Sequence, residues 1–425
     1  MVNDLTELMR ENVAAAPDDH LDLPAVIRSG RRQVRRRHRR RVLGGASMAL
    51  AGTVLAAIVG LSSGDGVPEI AGDPPRPDAP TLTLDDATRA VEGRDYRELA
   101  SYTNENLDAD NGQYFDGVTD DGLILFRDGP RADQRSARYA LMDPETGDKD
   151  WLPGPPAGSD QLSPVALGSD QLVLVGLDNG TVPTLYGYVF DRDTRQWHLR
   201  QWPDLPSSSG GLVRAVLGPE DRLYVLVPSS DRQGFHIWSA SLSDESDVRD
   251  EGLVVGELAF TDSAMVWTDA TDNDAPGTIH VRDLETGRER SFDPGTDQRC
   301  NLLSFGVADD RIMMGQYCGT YDGGVEDTRV QIVSTDGSQV VTIQGDEIDG
   351  RLDGANSDVV TVTASNGDRT GTYVYDLSSG RFLRVSDEVS SWGMEIDIAA
   401  GPDQFFWSTR DGRHGSTQHL GQLLP

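Results

Sequence analysis

The sequence has one lysine, Lys149, and two cysteines, Cys300 and Cys318, in 425 residues, and its formal net charge is -32. A phosphate-binding P-loop needs a Gly-Lys pair, and the lone lysine follows Asp148, so that loop is excluded. The outer histidines, His198, His236, His280, His414 and His419, show neither zinc-ligand spacing nor an H-E-x-x-H motif. "GLSSG", Gly60 to Gly64, matches G-x-S-x-G only formally, since it follows an apolar run and not a strand-to-helix elbow. Positive charge is scarce beyond residue 41. The first 41 residues hold ten arginines against six acids, and the rest holds 28 basic against 64 acidic residues, a balance of -36. Such acidity argues for solubility and against binding nucleic acid or an anionic membrane surface.

There is one long hydrophobic run. Val42 to Leu61 is twenty residues without a charge, enough for a helix to cross about 30 Å of hydrocarbon. Eight arginines stand immediately before it, between Gly30 and Arg41, and none follows directly. Arginine clusters stay cytoplasmic, so the N-terminus is placed inside and everything after Leu61 outside. No stacking or base-reading residues are interleaved with the arginines, which sets aside a nucleic-acid tail. About forty residues precede the run, and its exit lacks A-x-A, so an uncleaved anchor is preferred to a cleaved signal. Gly45, Ala49, Thr53 and Ala57 fall four apart, a small-residue stripe that offers a face for weak dimerisation through the span, with a merely Ala-rich span as the preferred reading.

The flanks read as spacers. In residues 1–41, a cytoplasmic tail, Asn3 stands as an N-cap before Leu5, Leu8, Met9 and Val13 at helical spacing, and Pro17 stops the pattern. A frayed helix is the plain reading, and a docking helix for a cytoplasmic partner is the alternative. Residues 62–80, rich in Gly, Pro and Asp, read as a linker.

Residues 81–425 repeat. An Asp turn between two strand-like runs recurs at Asp121, Asp170, Asp221, Asp262, Asp310, Asp358 and Asp403, spaced 41 to 51 residues apart. A second turn follows some twenty residues after each of the first six, as in "ALMDPETGDKDW" and "HVRDLETGRERSF". Four strands every forty to fifty residues is the pattern of a propeller blade, which buries its faces only against its neighbours. The expected fold is therefore all-β, a seven-bladed β-propeller over 81–425 preceded by a single transmembrane helix and a short cytoplasmic tail. The last repeat lacks a second turn, while "TLTLDDATRAVE" at Thr81 matches "YVFDRDTRQWHL" in pattern. Thr81 to Glu92 is thus expected to complete the last blade and close the ring.

The second turns resemble the D-x-x-T-G-x-x-x-W pattern of quinoprotein-like and related WD40-like propellers. Asp143, Thr146, Gly147 and Trp151 match it best; Asp283, Thr286 and Gly287 match with Ser291 in place of the Trp, and Asp376 and Gly380 match alone. With its arginine-rich tail and single span, the chain resembles uncharacterised actinobacterial membrane-anchored β-propellers. The resemblance implies a fold and a location but no activity.

In "CNLLSFGVADDRIMMGQYC", a three-residue turn at Ala308 to Asp310 puts Val307 opposite Arg311 and, by the same register, Cys300 opposite Cys318. An even cysteine count in an oxidising compartment then predicts a disulfide. Asp269, Asp272 and Asp274, or Asp108 and Asp110, carry the oxygen chemistry of a calcium loop without its spacing, and solvated loop charge is the preferred reading. The tryptophans, Trp151, Trp197, Trp202, Trp238, Trp267, Trp392 and Trp407, read as packing residues. No catalytic or cofactor-binding constellation is recognisable. The expected function is an extracytoplasmic module that binds a protein or ligand. The alternative is a propeller enzyme of glycosidase, lactonase or quinone-dependent dehydrogenase type.

Overall fold

A computed structural model of the chain describes residues 79–104, 112–129, 137–156, 162–178, 184–206, 214–229, 234–270, 277–294, 299–320, 324–349, 358–390 and 401–425. The tail 1–41, the span 42–61 and all but the end of the linker 62–80 lie outside the described residues. Among the described residues no helix is long and apolar enough to cross a membrane. All of them belong to the compact unit Gly66–Pro425.

The fold is all-β and propeller-like. Three strands open it: β1 (Thr81–Leu82), β2 (Thr88–Arg89) and β3 (Tyr96–Asn104). The first repeat is the antiparallel sheet β4 (Gln113–Val118), β5 (Ile124–Asp128), β6 (Arg138–Met142) and β7 (Lys149–Trp151). The second is β8 (Leu162–Leu167), β9 (Gln171–Asp178), β10 (Thr184–Asp191) and β11 (Gln196–Gln201). Next come β12 (Arg214–Gly218), β13 (Arg222–Pro228), β14 (Phe235–Ser241), β15 (Val248–Phe260), β16 (Ala264–Asp269), β17 (Ile279–Asp283) and β18 (Glu289–Phe292), all in one sheet. The fifth repeat is β19 (Arg299–Ala308), β20 (Arg311–Thr320), β21 (Gly324–Ser334) and β22 (Gln339–Gly345). β23 (Val359–Ala364), β24 (Gly371–Asp376) and β25 (Phe382–Ser386) form the sixth, and β26 (Gln404–Asp411) and β27 (Gly415–Leu423) end the chain.

Seven separate sheets were expected from the seven Asp turns. Among the described residues there are six, of which five have four or more strands and one has three. The difference comes from β15. Its first half pairs with β14 and its second with β16, with register shifts in both ladders, so the third and fourth repeats share one strand. Gly252 makes the bend at φ 67, with its N–H donated to the Asp250 carboxylate at 2.9 Å. A residue bearing a Cβ would be strained at that φ.

The core follows the repeats and not the sheets. Among the described residues seven hydrophobic clusters each join two neighbouring repeats. Leu125 and Leu141 pack with Leu172 and Tyr188, for example, and Leu226 and Ile237 with Met265 and Trp267. One cluster joins the last repeat to the first, through Phe406 and Leu420 against Phe115 and Ile124. Strand alternation explains this: successive side chains point to opposite faces, so each strand feeds two clusters.

The opening segment does close the last sheet, but not with the residues expected. The closing strand is β3, antiparallel to β27 from Tyr96 opposite Leu423 to Asn104 opposite Ser416. Thr81 to Glu92 instead runs along two earlier repeats. β1 pairs parallel with β22, and β2 pairs parallel with β25. Leu84 between them is buried in the cluster of the fifth and sixth repeats. The similarity of "TLTLDDATR" to a second turn is therefore local, and the segment is a belt over two sheet edges that would otherwise be open.

Cys300 and Cys318 form the expected disulfide, directly opposite in register, with Cα atoms 4.0 Å apart and both residues buried. The turn beside them differs from the expectation. It has two residues, Asp309 and Asp310, with Ala308 opposite Arg311 and Asp309 at φ 49. A register shift between Leu302 and Ser304 restores the cysteine pairing. The bridge closes a short loop, so replacing both cysteines with serine is expected to cost about 2–3 kcal/mol in a urea unfolding series. An unchanged midpoint and slope would show that the bridge contributes nothing.

Candidate functional site

The turns of the repeats lie on one rim, and in the second to the seventh repeat a recurring hydrogen bond ties the first turn to the strand beyond it. At the end of the strand that pairs with the one following the first turn, a backbone N–H donates to a carbonyl of that turn. Arg192 bonds Asp170 at 2.9 Å, Leu242 Asp221 at 3.0 Å, Leu284 Ser263 at 2.9 Å, Thr335 Asp310 at 2.8 Å, Leu377 Asp358 at 2.8 Å and Leu423 Asp403 at 2.8 Å.

The second turns are closed by their aspartates. The Asp143 carboxylate accepts the N–H groups of Glu145 at 2.8 Å and Thr146 at 3.0 Å, and Gly147 takes φ 73. Asp283 accepts Thr286 at 2.7 Å, and Asp191 accepts Thr194 at 2.8 Å. In the second repeat the position of positive φ is Arg195, at φ 55. A non-glycine residue there costs about 1 kcal/mol, and its side chain supplies a compensating contact. The rim is thus strongly acidic by construction. Where the turns crowd, at Asp358, burial and then the neighbouring Asp309, Asp376 and Asp403 push the carboxyl pKa up.

A groove of about 630 Å³ opens on this rim between the first and second repeats. Leu123, Leu141 and Phe190 form its apolar lining. The third and fourth strands of the two repeats bring up Asp143, Asp148, Lys149 and Asp150 from one side and Arg192, Asp193 and Arg195 from the other. Three contacts across the gap set its width. Arg192 grips the Asp121 carboxylate through both Nη atoms, at 2.7 and 2.8 Å, and also donates to the Gly168 carbonyl at 3.0 Å. Arg195 bonds Asp150 at 2.6 and 3.1 Å and the Trp151 carbonyl at 3.0 Å. Trp197 Nε1 donates to the Pro153 carbonyl at 2.7 Å.

The groove's cations are therefore committed within the fold. Lys149 as well places its Nζ 4.6 Å from the Phe126 ring centroid and 5.1 Å from that of Tyr102. Among the described residues the carboxylates of Asp148 and Asp193 have no side-chain partner.

The Arg192 hydrogen bonds hold the Asp121 pKa down at about 2, with help from Thr119. A depressed carboxyl pKa stabilises the fold above the unfolded value near pH 4, and that contribution is lost as pH falls through about 2. Asp121 is 41% exposed, so the effect is modest, below about 1 kcal/mol. The Asp121→Asn variant should melt below the parent at pH 7, and the gap should close near pH 2. A gap that persists unchanged at pH 2 would contradict this origin.

The other residues singled out from the sequence fall elsewhere. Asp108, Asp110, Asp272, Asp274 and Trp392 lie outside the described residues. Asp269 accepts from His280 Nε2 at 3.0 Å, and His280 stacks on Trp267 with centroids 5.0 Å apart. His419 repeats the arrangement on Trp407 at 4.6 Å, with Nδ1 2.8 Å from Glu98. No group of three metal-ligating side chains forms among the described residues. Trp202, Trp267 and Trp407 are buried packing residues, whereas Trp151 is exposed at the sheet edge under Arg138. Asp143 was marked in the sequence by its turn pattern, but nothing there pointed to a groove. Arg192 and Arg195 sit inside a quoted turn, but their partners are 71 and 45 positions away.

No family model matches the sequence, and no curated protein matches it. Solved structures do resemble it in shape. An oligogalacturonate lyase from Vibrio parahaemolyticus aligns with TM-score 0.47 and 11% identity, over 77% of this chain and 98% of that one. An uncharacterised protein from Listeria monocytogenes EGD-e aligns with TM-score 0.44 and 8% identity, over 71% and 87%. A prolyl endopeptidase aligns with TM-score 0.45 and 12% identity over 70% of this chain, which spans only 43% of that enzyme. At these identities the likeness concerns overall shape and says nothing about chemistry.

Proposed function

We propose that the chain is a membrane-anchored binding module: a ring of seven blades, tethered by residues 42–61 with the N-terminus in the cytoplasm, that presents its turn-bearing rim to an extracytoplasmic protein or ligand. Support for seven blades comes from the seven core clusters, one between each pair of consecutive repeats and one joining last to first. On this reading the seven-stranded sheet is two blades that share β15.

The observation that carries the binding reading is the groove between the first two repeats. Its arginines are paired with carboxylates inside the fold and Lys149 lies against two aromatic rings, so what it offers outward is shape, an apolar lining and the carboxylates of Asp148 and Asp193. A catalytic site needs acid and base groups converging on one reacting atom. Of the rim carboxylates described above, those of Asp143, Asp191 and Asp283 cap turns and that of Asp121 clasps an arginine.

The test is photo-crosslinking on intact cells, with a benzophenone amino acid at Ser169 in the groove or at Glu388, which does not line it. An adduct from Ser169 and none from Glu388, destroyed by protease added outside, is the expected result. Adducts at both positions or neither, or an adduct protected from that protease, would overturn the reading.

A further inference from the structure

Resting on that binding reading, we infer that the groove between the first and second repeats takes a basic segment of a protein partner: an arginine or lysine side chain flanked by an apolar one.

The argument is charge complementarity in a pre-shaped cleft. Four carboxylates line the groove, of Asp143, Asp148, Asp150 and Asp193, against three cations. Arg195 is matched by Asp150 within the groove, and Arg192 by Asp121 beneath it. Lys149 lies over two aromatic rings. No carboxylate matches Lys149, whose ammonium lies against those rings; the carboxylates left unmatched are Asp148 and Asp193, on opposite walls and both exposed, while that of Asp143 already accepts two backbone N–H groups. An anionic ligand would meet these carboxylates, and the one groove cation without a carboxylate partner, Lys149, is held against the Tyr102 and Phe126 rings. A cation entering between the walls meets two carboxylates, while its neighbour packs on half-buried Leu123, above the buried Leu141 and Phe190.

The cleft is pre-organised, because Arg192–Asp121, Arg195–Asp150 and Trp197–Pro153 already hold the two repeats at fixed separation. Little ordering cost therefore falls on binding. A guanidinium suits the site better than an ammonium, since its planar fork can bond two carboxylates at once.

The experiment uses the full chain in detergent and three fluorescent heptapeptides, Gly-Ser-Phe-X-Phe-Ser-Gly, with X arginine, citrulline or glutamate. The arginine peptide should bind at least tenfold tighter than the citrulline peptide at low salt, and the glutamate peptide should not bind. Because the whole protein is acidic, nonspecific attraction is controlled by two variants of equal charge change. D148K/D193K should weaken the arginine peptide at least tenfold with an unchanged melting temperature. E285K/E388K, placed away from the groove, should change it less than twofold. Equal loss in both variants would reduce the effect to global charge and overturn the inference, as would equal binding of arginine and citrulline peptides. If the peptides fail while crosslinking at Ser169 succeeds, the ligand class is wrong and the binding module stands; failure of the crosslinking as well removes both.

Discussion

A chain that begins at Gly112 is expected to lose the cooperative unfolding transition of the domain, while one that begins at Arg94 keeps it at a lower melting temperature. The first truncation removes β3 and opens the edge of β27 from Gly415 to Leu423. It also strips Ala100, Leu99 and Tyr102 from the cluster joining last repeat to first, and Tyr96 from Phe405 and Trp407, whose centroids lie 6.0 and 5.8 Å away. At about 1.5–3 kcal/mol per buried apolar side chain, with the ladder lost besides, the cost is about 5 kcal/mol or more. That equals the whole net stability of many domains. Among the described residues the second truncation removes little more than the belt. Its ion pairs, Asp85–Arg369 and Arg89–Asp387, are exposed and screened by solvent, so the loss rests chiefly on buried Leu84. Calorimetry of the two truncations separates the roles. A Gly112 chain that melts like the parent would show that β3 does not close the ring.

The second large effect is expected at the buried pair of β4 and β5. Arg127 Nε donates to the Asp116 carboxylate at 2.7 Å, with the two side chains 16% and 7% exposed. Burial opposes the Arg127 charge, and the Asp116 charge more than restores it, so its pKa lies above the ordinary value. Asp116→Ala strands that charge and should cost about 3–5 kcal/mol. Asp116→Leu combined with Arg127→Met removes both charges and should recover most of the loss. If the single variant costs under about 1 kcal/mol in urea, or the double variant is no better than the single, water reaches the pair and the burial argument fails.

The turns were legible because their chemistry is local. Asp143 and Asp283 act on N–H groups two or three residues away, and Gly147 answers a φ of 73. The disulfide was legible for a less direct reason. The turn at Asp309 and Asp310 is one residue shorter than expected, and the register shift at Leu303 offsets that residue, so Cys300 still meets Cys318. A bulge leaves little trace in a single sequence, and here two departures cancel. Two further features depended on tertiary pairing. Thr81 to Glu92 looks like a second turn, yet β1 and β2 add parallel to β22 and β25 because those edges are open. β15 reads as two strands around Gly252 but stays continuous, which merges two repeats into one sheet. The groove had no linear signature, since it forms where two second turns about 45 residues apart in sequence are clasped together.

Ring closure by β3 underlies the blade count, the placement of the rim and the rigidity of the groove. Thr103 and Thr417 test it directly, because their hydroxyl oxygens lie 2.8 Å apart across the β3–β27 ladder at a sequence separation of 314. With both changed to cysteine, the oxidised protein should yield one tryptic species linking the two positions, alongside an intact Cys300–Cys318 bridge. Free thiols at 103 and 417 in a folded protein that retains its native bridge would contradict the closed ring.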